Sequence, residues 1–290
     1  MYTIMGATGK VGGAAARALL DLGERLRVVV RDRAKGAAWA DRGCEVAIGD
    51  LDDATALSAA FAGADGAFVM MPSIFDPSPD FCEAKLMIAT LHEALKVGRP
   101  GKVVALSTIG AEATKPNLLN QLGLLERSLS NLSLPVTFLR AAWFMENAAL
   151  DITAAKDKGE ISSYLQPIDR AVPMISTEDV GQAVSALLRE NWTGIRVEEL
   201  EANERVSPNA IADAFAKALG RSVGVRPVPR EEWETIFRSF GMTNPLPRMQ
   251  MVDGFNEGWI DFFDRGAGAR KGSVTIDQAI TTLMNKAARV

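Results

Sequence analysis

"MYTIMGATGKVGGAAARALL", residues 1–20, passes from a short apolar strand through a glycine turn into an alanine-rich helix. Strand, then Gly6-Ala7-Thr8-Gly9-Lys10-Val11-Gly12, then helix, is the context that a dinucleotide-binding turn requires. Each glycine has its own task. Gly6 permits the tight turn, Gly9 lets backbone N–H groups approach a pyrophosphate, and Gly12 lets the helix pack closely on the strand. The helix N-terminus adds partial positive charge for the anion. Lys10 reads as a solvated surface lysine.

Outward from this turn, short apolar runs at 2–5, 26–30, 44–47, 67–71, 103–106 and 136–139 alternate with helical patterns. The helical stretches are 11–22, 34–41, 54–62, 80–97 and 117–131. Such alternation predicts an α/β fold, a doubly wound parallel sheet of the Rossmann kind covered on both faces. Its ligand crevice should lie at the carboxyl ends of the strands. Beyond about residue 150 the alternation loosens. Ser176 and Asp179 read as a capping box before a helix. Another helix spans 207–219, from Ser207-Pro208 to Gly220. We expect a nucleotide-binding domain over 1–150, completed by about 170–200, and a smaller C-terminal α/β lobe from about 151–169 and 201–290.

Residues 31–35 bear on cofactor choice. An acid about 20 residues past the glycines meets a ribose 2′-hydroxyl, whereas a 2′-phosphate calls for arginine. Here Arg31 stands 19 positions after Gly12, followed by Arg33 and Lys35. Three cations favour NADP(H), while the intervening Asp32 keeps NAD(H) open. Asp50 is a candidate acceptor for the adenine amino group, and Asp52 and Asp53 read as helix caps.

Composition sets limits. Hydrophobic content of 48%, charged content of 23% and a net charge of −4 describe an ordinary globular chain. A negative balance argues against nucleic-acid binding, which needs a surplus of Lys and Arg. No apolar run reaches the ~18 residues of a membrane span, and too little precedes Gly6 for a signal peptide. We therefore expect a cytoplasmic protein with Cys44 and Cys82 as buried, reduced thiols. The lone His92, within an apolar-patterned helix, is expected to be structural, and no metal site is expected.

The glycine turn, "LSTIG" at 106–110 and "LPVTFLRAAWFMENA" at 134–148 together resemble the NmrA-like branch of the atypical short-chain dehydrogenase/reductases. The resemblance covers nearly the whole chain. It implies a seven-strand doubly wound domain, NADP(H) binding and a small C-terminal lobe. Carried over, the cofactor positions are Gly6, Ala7, Thr8, Gly9, Lys10 and Val11; Arg31, Arg33 and Lys35; Asp50 and Leu51; Met70, Met71 and Pro72; and Phe144, Met145, Glu146 and Asn147. Members include quinone and dye reductases, and also redox-sensing regulators that bind the cofactor without turnover.

One departure matters. Short-chain dehydrogenases use a Tyr-x-x-x-Lys pair on the helix after the fifth strand. Neither Tyr2 nor Tyr164 has a lysine four residues on. Members of this branch often keep one Lys or His on that helix, and the match places Leu122 there. Leu122 lies on an apolar stripe, and its neighbours Asn120 and Gln121 are not acids. Ser107 and Thr108, at a strand's carboxyl end, are the remaining candidates for a substrate or nicotinamide contact.

Without an acid, the acceptor is constrained. Hydride transfer to a simple ketone leaves an alkoxide of water-like basicity, pKa about 15.7. A reduced quinone is phenol-like, near ~10. The gap of about six units is ~8 kcal/mol, too much to forgo a donor for a ketone but not for a quinone. The expectation is hydride transfer to a hydrophobic, electron-poor acceptor such as a quinone or azo compound. A redox-sensing NADP(H)-binding protein is the alternative, with a protein partner or homodimer open. In the Met- and aromatic-rich segment 223–263, Met249, Met251, Phe255 and Trp259 are the candidates for a substrate wall.

Overall fold

The computed structural model describes residues 1–288. Its first half carries β1 (Tyr2–Met5), α1 (Lys10–Asp21), β2 (Leu26–Val30), α2 (Arg33–Ala40), β3 (Glu45–Ile48), α3 (Ala54–Phe61) and β4 (Gly66–Val69). Then follow α4 (Cys82–Gly98), β5 (Val103–Thr108), α5 (Asn120–Leu129) and β6 (Val136–Ala141). The second half adds β7 (Trp143–Phe144), α6 (Ile152–Lys158), β8 (Glu160–Ser163), β9 (Met174–Ile175), α7 (Thr177–Arg189) and β10 (Ile195–Ala202). It closes with α8 (Pro208–Leu219), β11 (Gly224–Pro227), α9 (Trp233–Ser239), α10 (Leu246–Glu257), β12 (Arg270–Gly272) and α11 (Ile276–Ala287).

Eight strands pair, all parallel, in the order β12-β10-β6-β5-β4-β1-β2-β3. The order reverses at β1, which pairs with both β2 and β4, and this reversal opens the crevice of a doubly wound sheet. Strand side chains alternate between two cores, as the two-residue period of a strand demands. Ile4, Val28, Phe68, Val104 and Leu139 join α1 and α7 on one face. Met5, Val29, Val69, Ala105 and Phe138 join α3, α4 and α5 on the other. With both faces covered, the inner strands β1, β4 and β5 are largely apolar and readable as runs, whereas the outer β3, β10 and β12 carry charged residues.

Helices α1 and α7 pack at backbone distance. A Cβ added at Gly181 would stand 2.6 Å from the Ala15 nitrogen. The absent side chain at Gly181 and the small side chains of α1 together admit this approach.

Three expectations need correction. The sheet has eight strands rather than seven, because Arg270–Gly272 returns from the C-terminal region to pair with β10. There Lys271 and Arg205 both bond the carboxylate of Glu201, whose side chain is only 3% exposed. The Ser176–Asp179 box is half made. Ser176 Oγ accepts the Asp179 amide, but the Asp179 carboxylate reaches instead to the amides of Ser273 (3.1 Å) and Val274 (3.0 Å), just past β12. Finally, Cys44 is buried but Cys82, in the first turn of α4, is exposed.

The C-terminal region also builds a parallel β8–β11 pair and a third small core around Ile161, Phe215, Ile280 and Leu283. Among the described residues no helix is long and apolar enough to cross a membrane, and no cluster of His, Cys, Asp or Glu is placed to hold a metal ion.

Candidate nucleotide site and crevice

The glycine turn sits where β1 ends, at the sheet's reversal. Gly6 has φ +68°, a backbone region that side chains with a Cβ rarely enter. Its missing side chain leaves room for Met70, whose Sδ would lie 2.7 Å from a Cβ added there. The requirement at Gly12 is stricter. A Cβ there would meet the Gly6 carbonyl carbon and the Met5 oxygen at 2.5 Å, and both are backbone.

Gly9 is the N-cap of α1 and offers no side-chain cap, and the first turn holds no acidic residue. The Gly9 amide bonds Gly6 O at 2.8 Å and the Gly13 amide bonds Gly9 O at 3.1 Å. The intervening first-turn amides of Lys10, Val11 and Gly12 have no partner inside the helix. Uncapped amides, the positive end of the helix dipole and a Cβ-free approach fit a pyrophosphate. Such a group would rest on residues 9–12.

At the end of β2, Arg31, Arg33 and Lys35 are all exposed, and none makes an ion pair or side-chain hydrogen bond among the described residues. Asp32 is engaged locally: its Oδ1 accepts the Ala34 amide at 2.9 Å and caps α2. Asp50 is exposed and its Oδ1 accepts the Leu51 amide at 2.7 Å. Asp53 caps α3 through the Ala56 amide.

Of the positions after β6, Asn147 is exposed and Phe144 half-buried, while Met145 is buried in the core. Glu146 is spent structurally, since both its oxygens accept the Thr177 amide at 3.0 Å at the start of α7. That contact ties the segment after β7 to the start of α7.

On the catalytic side the groups proposed from sequence are already satisfied. Ser107 is buried and its hydroxyl donates to Glu126 Oε1 at 2.5 Å. Glu126 in turn receives Arg140 through Nε (2.9 Å) and Nη2 (2.7 Å), and Arg140 also pairs with Glu112 at 2.7 Å. Leu122 is half-buried and packs into the core on the α4 side. Asn120 accepts the Asn117 amide and donates to Ala113 O; Gln121 donates to Ile74 O and Leu118 O. His92 Nδ1 lies 3.1 Å from Ser128 O, a contact between α4 and α5. Thr108 remains half-exposed beside the crevice.

The C-terminal region closes over the loops that follow β4 and β5. The Asp76 carboxylate accepts the amides of Thr243 (2.8 Å) and Asn244 (2.7 Å) and the Thr243 hydroxyl (3.0 Å). The two amides hold its carboxyl below the usual aspartate value. The Leu118 amide donates to Pro247 O at 2.9 Å. Of the four wall candidates, Met249, Met251 and Phe255 are buried core residues. Phe255 meets Trp143, just after β6, edge to face at 5.2 Å. Trp259 is half-exposed, with Lys115 5.0 Å from its ring.

Two half-buried titratable groups that the sequence did not mark also lie here. Burial pushes the Asp151 carboxyl up to about 6 and raises the Tyr164 hydroxyl. A separate cavity of about 450 Å³ lies past β10 and β12, lined by Met145, Asn203, Asp213, Lys217 and Asp277 among others. It includes no residue of the glycine turn. A dinucleotide lies extended across the strand ends, so the turn marks the nucleotide site.

Comparison with known proteins agrees with this geometry. The model of the NmrA-like family matches residues 2–286. The chain is 27% identical over 259 residues to an NAD(P)H azoreductase of Xenophilus azovorans, covering 89% of this chain and 85% of that protein. It is 22% identical over 252 residues to quinone oxidoreductase 2 of Escherichia coli, covering 86% and 85%. Among solved structures, the NADPH complex of an NADPH-dependent quinone oxidoreductase from Escherichia coli superposes with a TM-score of 0.81 at 21% identity, over 98% and 100% of the two chains. A Citrobacter triphenylmethane reductase complexed with NADP(H) superposes with a TM-score of 0.80 at 20% identity, over 97% and 99%. With its parallel sheet reversing at the glycine turn and the family's pattern matched over residues 2–286, the chain belongs to the NmrA-like family.

Proposed function

We propose that this protein is an NADP(H)-dependent oxidoreductase that delivers hydride to a hydrophobic, electron-poor acceptor such as a quinone or azo compound. The observation that carries the cofactor reading is the uncapped first turn of α1 behind Gly6 and Gly9, with three unpaired cations at the end of β2. Residues 9–12 would hold the pyrophosphate. Arg31, with Arg33 and Lys35, would hold a 2′-phosphate, while Asp32 is turned to capping α2. The names of the azoreductase and quinone-reductase relatives support the acceptor class.

When bound, the nicotinamide supplies the hydride. The chain's own residues bind, orient and exclude water. None of the groups on α5 is an acid free to donate, and the Ser107 hydroxyl is already donated to Glu126. Such a site suits an acceptor whose reduced form holds its negative charge at a phenol-like pKa and takes its proton from water. Ser107 is thereby a positioning residue, acting through Glu126 and Arg140 on the ends of β5 and β6.

The test is NADPH oxidation by pure protein with quinones, azo compounds and simple ketones in parallel. Quinones should accelerate it, ketones should not, and the rate should vary little between about pH 7 and 8.5, where ordinary carboxyls do not titrate. Ketone reduction with a clear acidic limb would overturn the acceptor reading. Tight NADPH binding with inertness toward every acceptor would instead establish the sensing alternative.

A further inference from the structure

Six arginines are half-buried among the described residues: Arg27, Arg140, Arg196, Arg205, Arg248 and Arg270. Five are held by carboxylates at 2.7–2.9 Å. Arg248, on α10, is the exception. Its guanidinium lies 5.4 Å from the Phe75 ring and 4.6 Å from the Phe237 ring, and its only polar contact among the described residues is Met242 Sδ at 3.7 Å. A guanidinium partly removed from water without an anion is costly, and burial depresses its pKa accordingly. Stacking on two rings returns a part of that cost.

A second unspent donor stands beside it. Tyr164 packs on Phe237 at 5.0 Å and on Trp233 at 5.7 Å, and its hydroxyl has no hydrogen-bond partner among the described residues. Burial weighs most on the Tyr164 hydroxyl and raises its pKa; the Arg248 guanidinium lies close enough to favour its ionisation, as does Arg226, while Asp151 opposes it. The location is the crevice. Phe75 follows β4 by way of Pro72, Pro247 accepts the Leu118 amide after β5, and Phe255 of the same helix meets Trp143 after β6.

We propose that Arg248, with the Tyr164 hydroxyl, is the receptor for an anionic substituent on the acceptor, an aromatic ring bearing a sulfonate or carboxylate that lies against Phe75. A guanidinium offers several donors in one plane, suited to a two-oxygen anion, and the aromatic wall suits the ring that carries it. This deepens the reductase reading and rests on it.

The experiment compares naphthoquinone sulfonate with unsubstituted naphthoquinone, by calorimetric binding and by NADPH oxidation. Wild-type protein and Arg248→Met, Arg248→Lys and Tyr164→Phe are used, the methionine keeping the stem packed between the rings. Arg248→Met should weaken the sulfonate at least about tenfold and leave the neutral quinone within about twofold. Arg248→Lys should keep part of the discrimination, and Tyr164→Phe should cost about fivefold. Equal effects on both quinones, or no sulfonate binding in wild type, would overturn the inference. So would a parallel loss of NADPH affinity, which would place a cofactor phosphate at Arg248. Sulfonate binding that depends on Arg248 without any reduction would sink the reductase reading and leave the anion site standing.

Discussion

Gly12→Ala tests the nucleotide site through a methyl group. A Cβ there stands 2.5 Å from the Met5 oxygen and the Gly6 carbonyl carbon, where ordinary contact begins at 3.4 Å. The shortfall is 3.4 − 2.5 = 0.9 Å. Neither neighbour is a flexible side chain, so the start of α1 must move off β1 by about that amount. First-turn amides at ~2.9 Å from a phosphate oxygen would then stand near ~3.8 Å, outside hydrogen-bond range. Two charge-assisted bonds at about 1.5–3 kcal/mol each make a loss of about 3–6 kcal/mol, or two to four orders of magnitude in Kd. Overpacking should also lower stability by about 1–3 kcal/mol. Gly13→Ala is the control, because its Cβ would stand 3.0 Å from Ala7 O and needs only a few tenths of an ångström. Calorimetric titration with NADPH and thermal melting read the two effects. Wild-type NADPH affinity in a folded Gly12→Ala protein would refute the reasoning.

Three further predictions come from other parts of the molecule. Arg31→Ala should remove most of any preference for NADPH over NADH, by about ten- to a hundredfold in the ratio of Kd values, and equal affinities in the wild type would shift the assignment to Asp32. Glu126→Ala leaves Arg140 without its buried partner and should destabilise by about 3–5 kcal/mol by denaturant titration, whereas Ser107→Ala should cost only ~1 kcal/mol. Asp151 has its carboxyl raised to about 6 by burial, so its ionised form weakens the folded state; that penalty is full above pH 6 and fades as pH falls toward the ordinary 3.8. Asp151→Asn should therefore raise the melting temperature at pH 8 and leave it nearly unchanged near the ordinary 3.8, and a gain equal at both would contradict the burial argument.

The sequence made the β1–α1 turn and β1–β6 legible because each signal is local: glycines at fixed offsets, and short apolar runs, most of them buried on both faces, with the edge strand β3 half-exposed. Strand β12 gave no such signal. Its residues, Arg270, Lys271 and Gly272, read as a charged loop, and only pairing with β10 makes them a strand. Asp179 shows the limit of local capping rules, since its carboxylate is claimed by amides about 94 positions away. Ser107 and Glu146 looked available in sequence; each is taken by a partner that only the fold supplies. Arg248 carries no signal in the sequence for the converse reason. Lacking a counter-charge is a property of the folded surroundings, and no spacing rule reveals it.

The late arrival of β12 has a consequence for biosynthesis. Its neighbour β10 ends at Ala202, so β12 begins 270 − 202 = 68 positions later along the chain. At about 5–20 residues per second a ribosome leaves the Leu200–Ala202 edge of β10, the part that β12 covers, unpaired for about 3–14 s. An open edge is a template on which nascent chains can pair with one another. The stretch "IRVEELEA" meets that hazard with Arg196, Glu198, Glu199 and Glu201 within eight residues. Glu201 has Arg205 four residues on but lacks Lys271 until that residue is synthesised, so for those seconds the edge carries a carboxylate only partly paired, which disfavours an apolar partner strand. The same acid that later anchors the finished sheet thus acts as a gatekeeper during translation, deterring the wrong strand until the right one is made.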